Sequence, residues 1–188
     1  MLKTALFMTA AAVMALPRIS SAQQSWEFNI SSGRMVATGS QRDAIENGNV
    51  SAAQIWFVPR SSLALTASVG WGRTRDITST DAPRLNVFSY DVGAELRAPR
   101  LSHNALSFMP FAGAGAGGRS YDYRKLESKA THNAAAYAGA GAEFGMGRVR
   151  LRVEARDYVT SFKPLSGAGK SDTRNDVVVL AGLRFNAR

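Results

Sequence analysis

The sequence predicts an all-β protein, an eight-stranded antiparallel up-and-down transmembrane β-barrel that follows a cleaved signal peptide. Three observations predict this fold. The N-terminal segment has the pattern of a secretory signal. Beyond it, no apolar run approaches the roughly 20 residues that a membrane-spanning helix needs. Polar and apolar residues instead alternate with a period of two in eight separate segments.

Residues 1–22 form the predicted signal peptide. Lys3 gives the segment a positive start, and Leu6–Leu16 is an apolar run that Pro17 ends. Positions 20–22 hold the small residues Ser20, Ser21 and Ala22, so we predict cleavage after Ala22. The apolar run is too short for a membrane anchor. The remainder, residues 23–188, is predicted to be one outer-membrane barrel domain.

Composition excludes several classes of function. The 188-residue chain has no cysteine, which excludes disulfides and thiolate metal sites. Its formal charge is +9, but the basic residues are spread through alternating segments and are not clustered with aromatic residues. This distribution argues against a nucleic-acid partner. We expect a protein without cofactors.

The clearest strand is Arg148–Tyr158. Val149, Leu151 and Val153 point to one side of it, and the alternate positions are mostly arginine. A strand collects such charges on one face, whereas a helix would scatter them. The eight predicted strands are Trp26–Val36, Val50–Val58, Leu63–Arg73, Asn86–Arg97, Phe108–Arg119, Asn133–Phe144, Arg148–Tyr158 and Asp176–Phe185.

The predicted connections alternate between short and long. Pro59–Ser62 and Gly145–Gly147 are tight turns, and Ala98–Ala105 is of moderate length. This alternation is typical of a transmembrane barrel with its long loops on the cell exterior. The four long loops are Ala37–Asn49, Thr74–Arg84, Ser120–His132 and Thr160–Asn175.

The polar faces of the predicted strands carry both signs of charge. In a membrane barrel they would line a narrow lumen, where charges must pair. Such a lumen network could form a gate or narrow ion path, or a plug. The plug is favoured because an eight-stranded barrel is just wide enough for side chains. The predicted network comprises Asp91, Glu95, Arg97, Glu143, Arg150, Arg152, Glu154, Arg156 and Arg184.

Glycines and aromatic residues favour the membrane form of the barrel. Glycines are predicted on the inner face, where they would relieve crowding in a narrow barrel; they are Gly113, Gly115, Gly117, Gly139 and Gly141. Aromatic residues fall near strand ends, as an interfacial girdle requires; they are Trp26, Trp56, Phe57, Trp71, Phe88, Tyr90, Phe144, Tyr158 and Phe185. The alternative is a soluble periplasmic barrel that encloses a small apolar ligand. It would bury Leu63, Leu65, Val149, Leu151, Val153 and Val177.

Four segments resemble one family. They are Leu63–Arg73, Pro110–Gly118, Tyr137–Phe144 and Val177–Phe185, and the mature chain that holds them resembles the small OmpA/OmpX-type outer-membrane β-barrels. The resemblance implies eight strands, outer-membrane insertion, and a role in envelope integrity, adhesion or limited permeation. Family members commonly end on the terminal aromatic residue, whereas three residues follow Phe185 here. Expected partners are outer-membrane lipid, lipopolysaccharide, the barrel-assembly machinery and an unknown extracellular ligand.

Basic residues in the long loops and adjoining strand ends could pair with anionic lipopolysaccharide. These residues are Arg42, Arg73, Arg75, Arg84, Arg124, Lys125, Lys129, Lys163, Lys170 and Arg174.

Motifs typical of catalysis are weak. Gly113, Gly115 and Gly118 match a dinucleotide-binding spacing, but no helix opening follows them. Gly167–Ser171 imitates the end of a P-loop and lacks its first glycine.

The two histidines, His103 and His132, fall in connections at opposite ends of the predicted barrel, which argues against a shared metal site. The alternative of a lipid-modifying enzyme would rest on His132 with Ser120 or Ser128. We predict neither a metal site nor an enzyme.

Overall fold

The computed structural model describes residues 25–103, 106–124, 130–146, 149–164 and 172–187. The predicted signal peptide and its cleavage site at Ala22 lie outside these residues. The described strands are β1 Ser25–Thr38, β2 Gly48–Arg60, β3 Leu63–Arg75, β4 Arg84–Arg97, β5 Leu101–His103, β6 Leu106–Tyr123, β7 Thr131–Met146, β8 Val149–Phe162 and β9 Asp172–Ala187.

Eight of these strands close into an antiparallel up-and-down barrel. Each long strand pairs with the next along the chain, and β9 returns to pair with β1. Closure leaves no free sheet edge in the barrel wall. The predicted fold class is therefore confirmed. The exception to the pattern is β5, a short strand that pairs only with the beginning of β6 within the connection after β4.

One end of the barrel carries the short connections and is called the short-turn end; the other is called the long-loop end. The strands extend farther toward the long-loop end than the alternation predicts. The β6 strand runs to Tyr123, and β8 runs to Phe162. Their interior-facing aromatic side chains are buried there, Tyr121 at 1% and Phe162 at 0% exposure. The two rings pack against each other, and this packing keeps the strand ends hydrogen-bonded in the sheet although the surrounding sequence is polar.

The two faces of the barrel wall have opposite character. Carboxylates and arginines point inward and are almost inaccessible, whereas aliphatic side chains point outward, such as Val69 at 59% exposure and Ile30 at 73%. The soluble alternative requires the reverse arrangement. Leu65, Leu151 and Val153 are 40%, 46% and 38% exposed, so they do not line an apolar ligand cavity.

Outward-facing aromatic residues form a band at each end of the aliphatic surface. Those toward the short-turn end are Trp26, Phe28, Phe57, Phe108, Phe144 and Phe185. Those toward the long-loop end are Trp71, Phe88 and Tyr90. The expectation that Trp56 and Tyr158 belong to such a band is wrong, because both face inward and are at most 3% exposed. Neighbouring residues of a strand face opposite sides, so Trp56 and Phe57 cannot share a face.

Glycines on the inner face make room for aromatic rings inside the barrel. A Cβ atom on Gly115 would lie 2.6 Å from a ring carbon of Tyr137, and one on Gly141 would lie 2.4 Å from the ring of Phe111. Two of the five predicted inner-face glycines, Gly115 and Gly141, therefore lie directly against interior rings.

Among the described residues, no helix has the length and apolar character needed to span a membrane.

Candidate functional site: the charged interior

The barrel interior toward the short-turn end holds a layer of ten charged side chains, here called the ionic layer. They project from β1, β4, β7, β8 and β9, and each is at most 6% exposed. Five are carboxylates and five are arginines, so their formal charges balance. The layer consists of Glu27, Asp91, Glu95, Arg97, Glu143, Arg150, Arg152, Glu154, Arg156 and Arg184.

Six members form a closed ring of ion pairs across the barrel. Arg152 lies 2.5 Å from Glu95 and 2.9 Å from Glu143, measured between guanidinium nitrogen and carboxylate oxygen. A guanidinium nitrogen of Arg97 lies 2.9 Å from a carboxylate oxygen of Glu27. The ring runs in the order Arg152, Glu95, Arg97, Glu27, Arg184, Glu143 and back to Arg152. A continuous chain of charge pairs thus joins opposite walls and occupies the centre of the lumen.

A branch of the layer extends from the ring toward the long-loop end. Glu154 accepts hydrogen bonds from Arg152 at 3.2 Å and from Arg156 at 2.6 Å. The hydroxyl of Tyr158 donates to Asp91 at 2.8 Å, and Arg156 lies 4.0 Å from the same carboxylate. The branch therefore ties β8 to β4 across the interior.

Aromatic rings fill the space around the guanidinium groups. The Arg152 guanidinium carbon lies 3.5 Å from the ring centre of Phe111 and 4.7 Å from that of Trp56. Trp56 is fully buried, and its indole N–H donates to Glu95 at 3.3 Å. Stacked arginine and aromatic groups attract each other and exclude water. The layer is therefore a packed assembly of side chains.

The structure brings together all nine residues of the predicted lumen network. The tenth member, Glu27, was missed by the sequence analysis because its segment alternates only weakly. A signal was present, since Glu27 lies between Trp26 and Phe28, both of which face outward. Adding Glu27 balances the charge that the nine predicted residues leave uneven.

A second charged group, also missed, lies nearer the long-loop end. Arg119 and Asp176 form a buried ion pair, with Arg119 2% and Asp176 0% exposed. The Arg119 guanidinium carbon lies 4.0 Å from the ring centre of Tyr158. Both charged residues are terminal positions of predicted strands, where alternation does not distinguish an interior from a loop environment.

Between the ionic layer and the long-loop end lies a cluster of buried apolar side chains, here called the apolar layer. The rings of Tyr121 and Phe162 pack in it with centres 4.3 Å apart. Its members are Met35, Ala37, Ala44, Ile45, Val50, Leu85, Val87, Tyr121, Tyr123, Ala135, Tyr137, Tyr158, Phe162, Val178 and Leu180.

The first long loop, residues 39–47, closes the barrel above the apolar layer. It begins with a 3₁₀ turn, Gly39–Gln41, and its residues Gln41, Ala44 and Ile45 are at most 1% exposed. Hydrogen bonds hold it to the neighbouring loop and to β9, including one of 2.6 Å from Arg174 to the carbonyl of Ser40. The barrel is thus closed twice, by the ionic layer toward the short-turn end and by the apolar layer with its loop toward the long-loop end.

A small cavity lies between the two layers. A cavity of about 20 Å³ is bounded by Met35, Ser68, Arg119, Arg156 and Tyr158, among others. This volume is sufficient for about one water molecule.

One of the expected surface cations lies inside. Arg174 is 8% exposed and donates to the backbone carbonyls of Phe162 and Ser40. The expectation that Arg174 meets glycolipid is therefore wrong. Lys125, Lys129 and Lys170 lie outside the described residues, while Arg42 and Lys163 are exposed.

The candidate catalytic residues lie apart from both layers. His103 is in β5 at the short-turn end, and His132 is the second residue of β7, at the long-loop end. Ser120 is the cross-strand partner of His132, but no hydrogen bond joins their described side chains. Ser128 lies outside the described residues, and within them no three acidic or histidine residues form a group suited to a metal ion.

No protein-family model matches the chain, and no curated protein matches it. Three solved structures of low identity have a similar fold. Neisserial surface protein A is 12% identical with a TM-score of 0.59, over 85% of this chain and 96% of that one. The outer-membrane protein OprG of Pseudomonas aeruginosa is 11% identical with a TM-score of 0.53, over 88% and 97%.

The third structure is that of the outer-membrane protein AlkL in lipid bilayers. It is 14% identical with a TM-score of 0.51, over 92% of this chain and 95% of that one. These likenesses show the fold. The chain has the architecture of the small eight-stranded outer-membrane barrels, as its resemblance to the OmpA/OmpX type predicts.

Proposed function

We propose that the protein is a non-enzymatic integral protein of the outer membrane, exported with a signal peptide that is cleaved after Ala22. Its outward aliphatic surface, bounded by aromatic bands, has the chemistry of a lipid-facing barrel wall. In this proposal the barrel anchors four long loops, which serve envelope integrity or surface interaction with an extracellular partner. The proposed insertion route is the barrel-assembly machinery.

We place the long loops outside the cell, where the wall strands are long enough to carry them beyond the lipid. The eight wall strands have 13 to 18 residues, whereas about 9–11 residues cross a bilayer. The excess lets the wall project beyond the lipid and carry the loops at the cell surface. The short-turn end then lies in the periplasm.

The ring of ion pairs is the observation that carries the functional proposal. Each ring member is fixed by a partner from another strand, and Phe111 and Trp56 cover Arg152. An ion or solute would have to break several buried charge pairs to pass, and then displace the apolar layer. Among the roles that the resemblance implies, this closure favours a structural or surface role over permeation.

Electrical recording in planar lipid bilayers tests the closed lumen. We expect no current steps from inserted wild-type protein, and no passage of small sugars into liposomes that contain it. A gel-mobility shift on boiling, measured on the same preparation, verifies that the barrel is folded. Steady single-channel conductance from folded wild-type protein would refute the closed lumen and assign the ionic layer to an ion path.

A further inference from the structure

A basic groove lies on the outer surface of the wall, above the aromatic band near the long-loop end. Its volume is about 320 Å³. Residues of β1, β2, β3, β4 and the first long loop line it, together with Arg124, which follows β6. Five arginines and one acidic residue, Glu46, line it. The arginines, here called the groove arginines, are Arg34, Arg73, Arg75, Arg84 and Arg124.

The groove arginines differ from the interior arginines in their partners. Each arginine of the ionic layer lies within 4.0 Å of at least one carboxylate, whereas none of the groove arginines pairs with a carboxylate of the described residues. The strand register also places Arg75 directly opposite Arg84. Like charges in such positions repel and destabilise the strand pair. A bound anion would remove this repulsion.

Neighbouring side chains hold parts of the groove in place. Arg34 donates a hydrogen bond of 2.9 Å to Asn49, and the guanidinium carbon of Arg73 lies 3.9 Å from the ring centre of Trp71. The indole N–H of Trp71 in turn donates to Asn86 at 3.4 Å. Arginines positioned in advance lose less freedom on binding a ligand. Their planar donor groups suit the oxygens of phosphate.

Apolar surface continues from the groove toward the middle of the wall. Trp71 and Phe88 are cross-strand partners whose rings are stacked with centres 6.4 Å apart. Farther along the same strands, Val69 and Val92 are 59% and 61% exposed. A ligand that complements both the basic groove and the apolar surface beside it has an anionic head and apolar tails.

We propose that the groove binds the phosphorylated head of a membrane lipid, with its acyl chains on the aromatic and aliphatic surface below. This inference rests on the proposed membrane location, because only there would such a lipid surround the wall. The phosphate would contact the groove arginines, and Trp71 would lie at the boundary between head and tails.

Binding of a bisphosphorylated glycolipid to the folded barrel in neutral detergent tests the proposal. Retention of the lipid would be measured by native mass spectrometry, beside the same glycolipid without phosphates. We expect Arg73→Gln and Arg75→Gln together to weaken binding of the phosphorylated form by about tenfold or more, which corresponds to losing about one charge-assisted hydrogen bond. Added salt should also weaken it.

A second double variant removes the same charge elsewhere. Arg60 and Arg100 are exposed and lie at the short-turn end, outside the groove, so their replacement by Gln should change binding less than about twofold, since they contact no groove ligand. Equal losses in both double variants would overturn the site, because general basicity would then explain binding. Equal binding of the dephosphorylated glycolipid would overturn phosphate recognition. Displacement by inorganic phosphate at the concentration of the glycolipid would make the groove a free-anion site and overturn the lipid assignment.

Gel mobility with and without boiling is measured on every variant. A folded, membrane-inserted barrel that does not bind the phosphorylated glycolipid would refute the lipid site and leave the proposed function intact. A chain that neither inserts nor shows a mobility shift would refute the proposed function itself.

Discussion

The two halves of the barrel interior are closed by different physical means. Toward the short-turn end, ten charges interlock with their signs balanced. Toward the long-loop end, apolar and aromatic side chains pack under a loop, and one buried ion pair, Arg119 with Asp176, is embedded among them. The stability of the ionic layer depends on the pairing of each charge, whereas the stability of the apolar layer depends on how completely its side chains fill the space. The two layers should therefore respond differently to substitution.

The largest effect is expected from Arg152→Met. Arg152 contacts three carboxylates, Glu95, Glu143 and Glu154, and its loss would leave them buried beside too few cations. Breaking a buried ion pair in this way costs about 3–5 kcal/mol of unfolding free energy. Urea unfolding in lipid vesicles measures the loss. Arg42→Met, at an exposed arginine, is the control and should change the value by less than about 0.5 kcal/mol. Equal effects would mean that the ionic layer does not stabilise the barrel.

A smaller loss is expected when the loop seal of the apolar layer is weakened. Ile45→Ala removes a side chain that is 1% exposed beneath the first long loop. We expect a loss of about 2 kcal/mol, at the low end for such truncations because a loop can settle into the space. Proteolysis of the inserted protein should also cut this loop faster. An unchanged cutting rate would contradict the role of the loop as a seal.

Between the layers, glycine positions offer a matched pair of substitutions. Gly115→Ala would place a Cβ atom 2.4 Å from the Val92 carbonyl and 2.6 Å from Tyr137. The crowding should cost about 1–3 kcal/mol. In Gly72→Ala the nearest atoms lie 3.6 Å away, so the variant should fold with nearly unchanged stability. The temperature at which each variant loses its gel-mobility shift ranks their stabilities. If Gly72→Ala were the less stable of the two, crowding would not explain the glycine at position 115.

The smallest effect is expected from His132→Ala. His132 is exposed, and no hydrogen bond joins it to Ser120 in the described structure. We expect no change in the lipid composition of cells that carry the variant, as measured by mass spectrometry of extracted glycolipid. A modified lipid that disappears with His132 would restore the enzymatic alternative.

The period-two pattern predicted much of the fold because it depends on a single property, the contrast between the two faces. The eight strands and the inward direction of Arg152 and Glu143 follow from that contrast. The pattern fails where the contrast is weak. Glu27 lies in a segment of mixed polarity, and Trp56 is a large apolar residue that faces inward among charges.

Other parts of the site depend on three-dimensional proximity. The pairing of Arg119 with Asp176 joins β6 to β9, which are not adjacent in the barrel. The burial of Ile45 depends on the fold of its loop over the interior. The groove arginines come together through the strand register and the loop, and neither is encoded by alternation within a single strand.

Membrane fractionation followed by gel mobility with and without boiling tests whether the apolar face of the barrel meets lipid and the charged face fills a closed interior. We expect the protein to remain in the outer-membrane fraction after washing without detergent and to change its mobility on boiling. Release into the soluble fraction without a mobility shift would mean that the apolar face does not meet lipid.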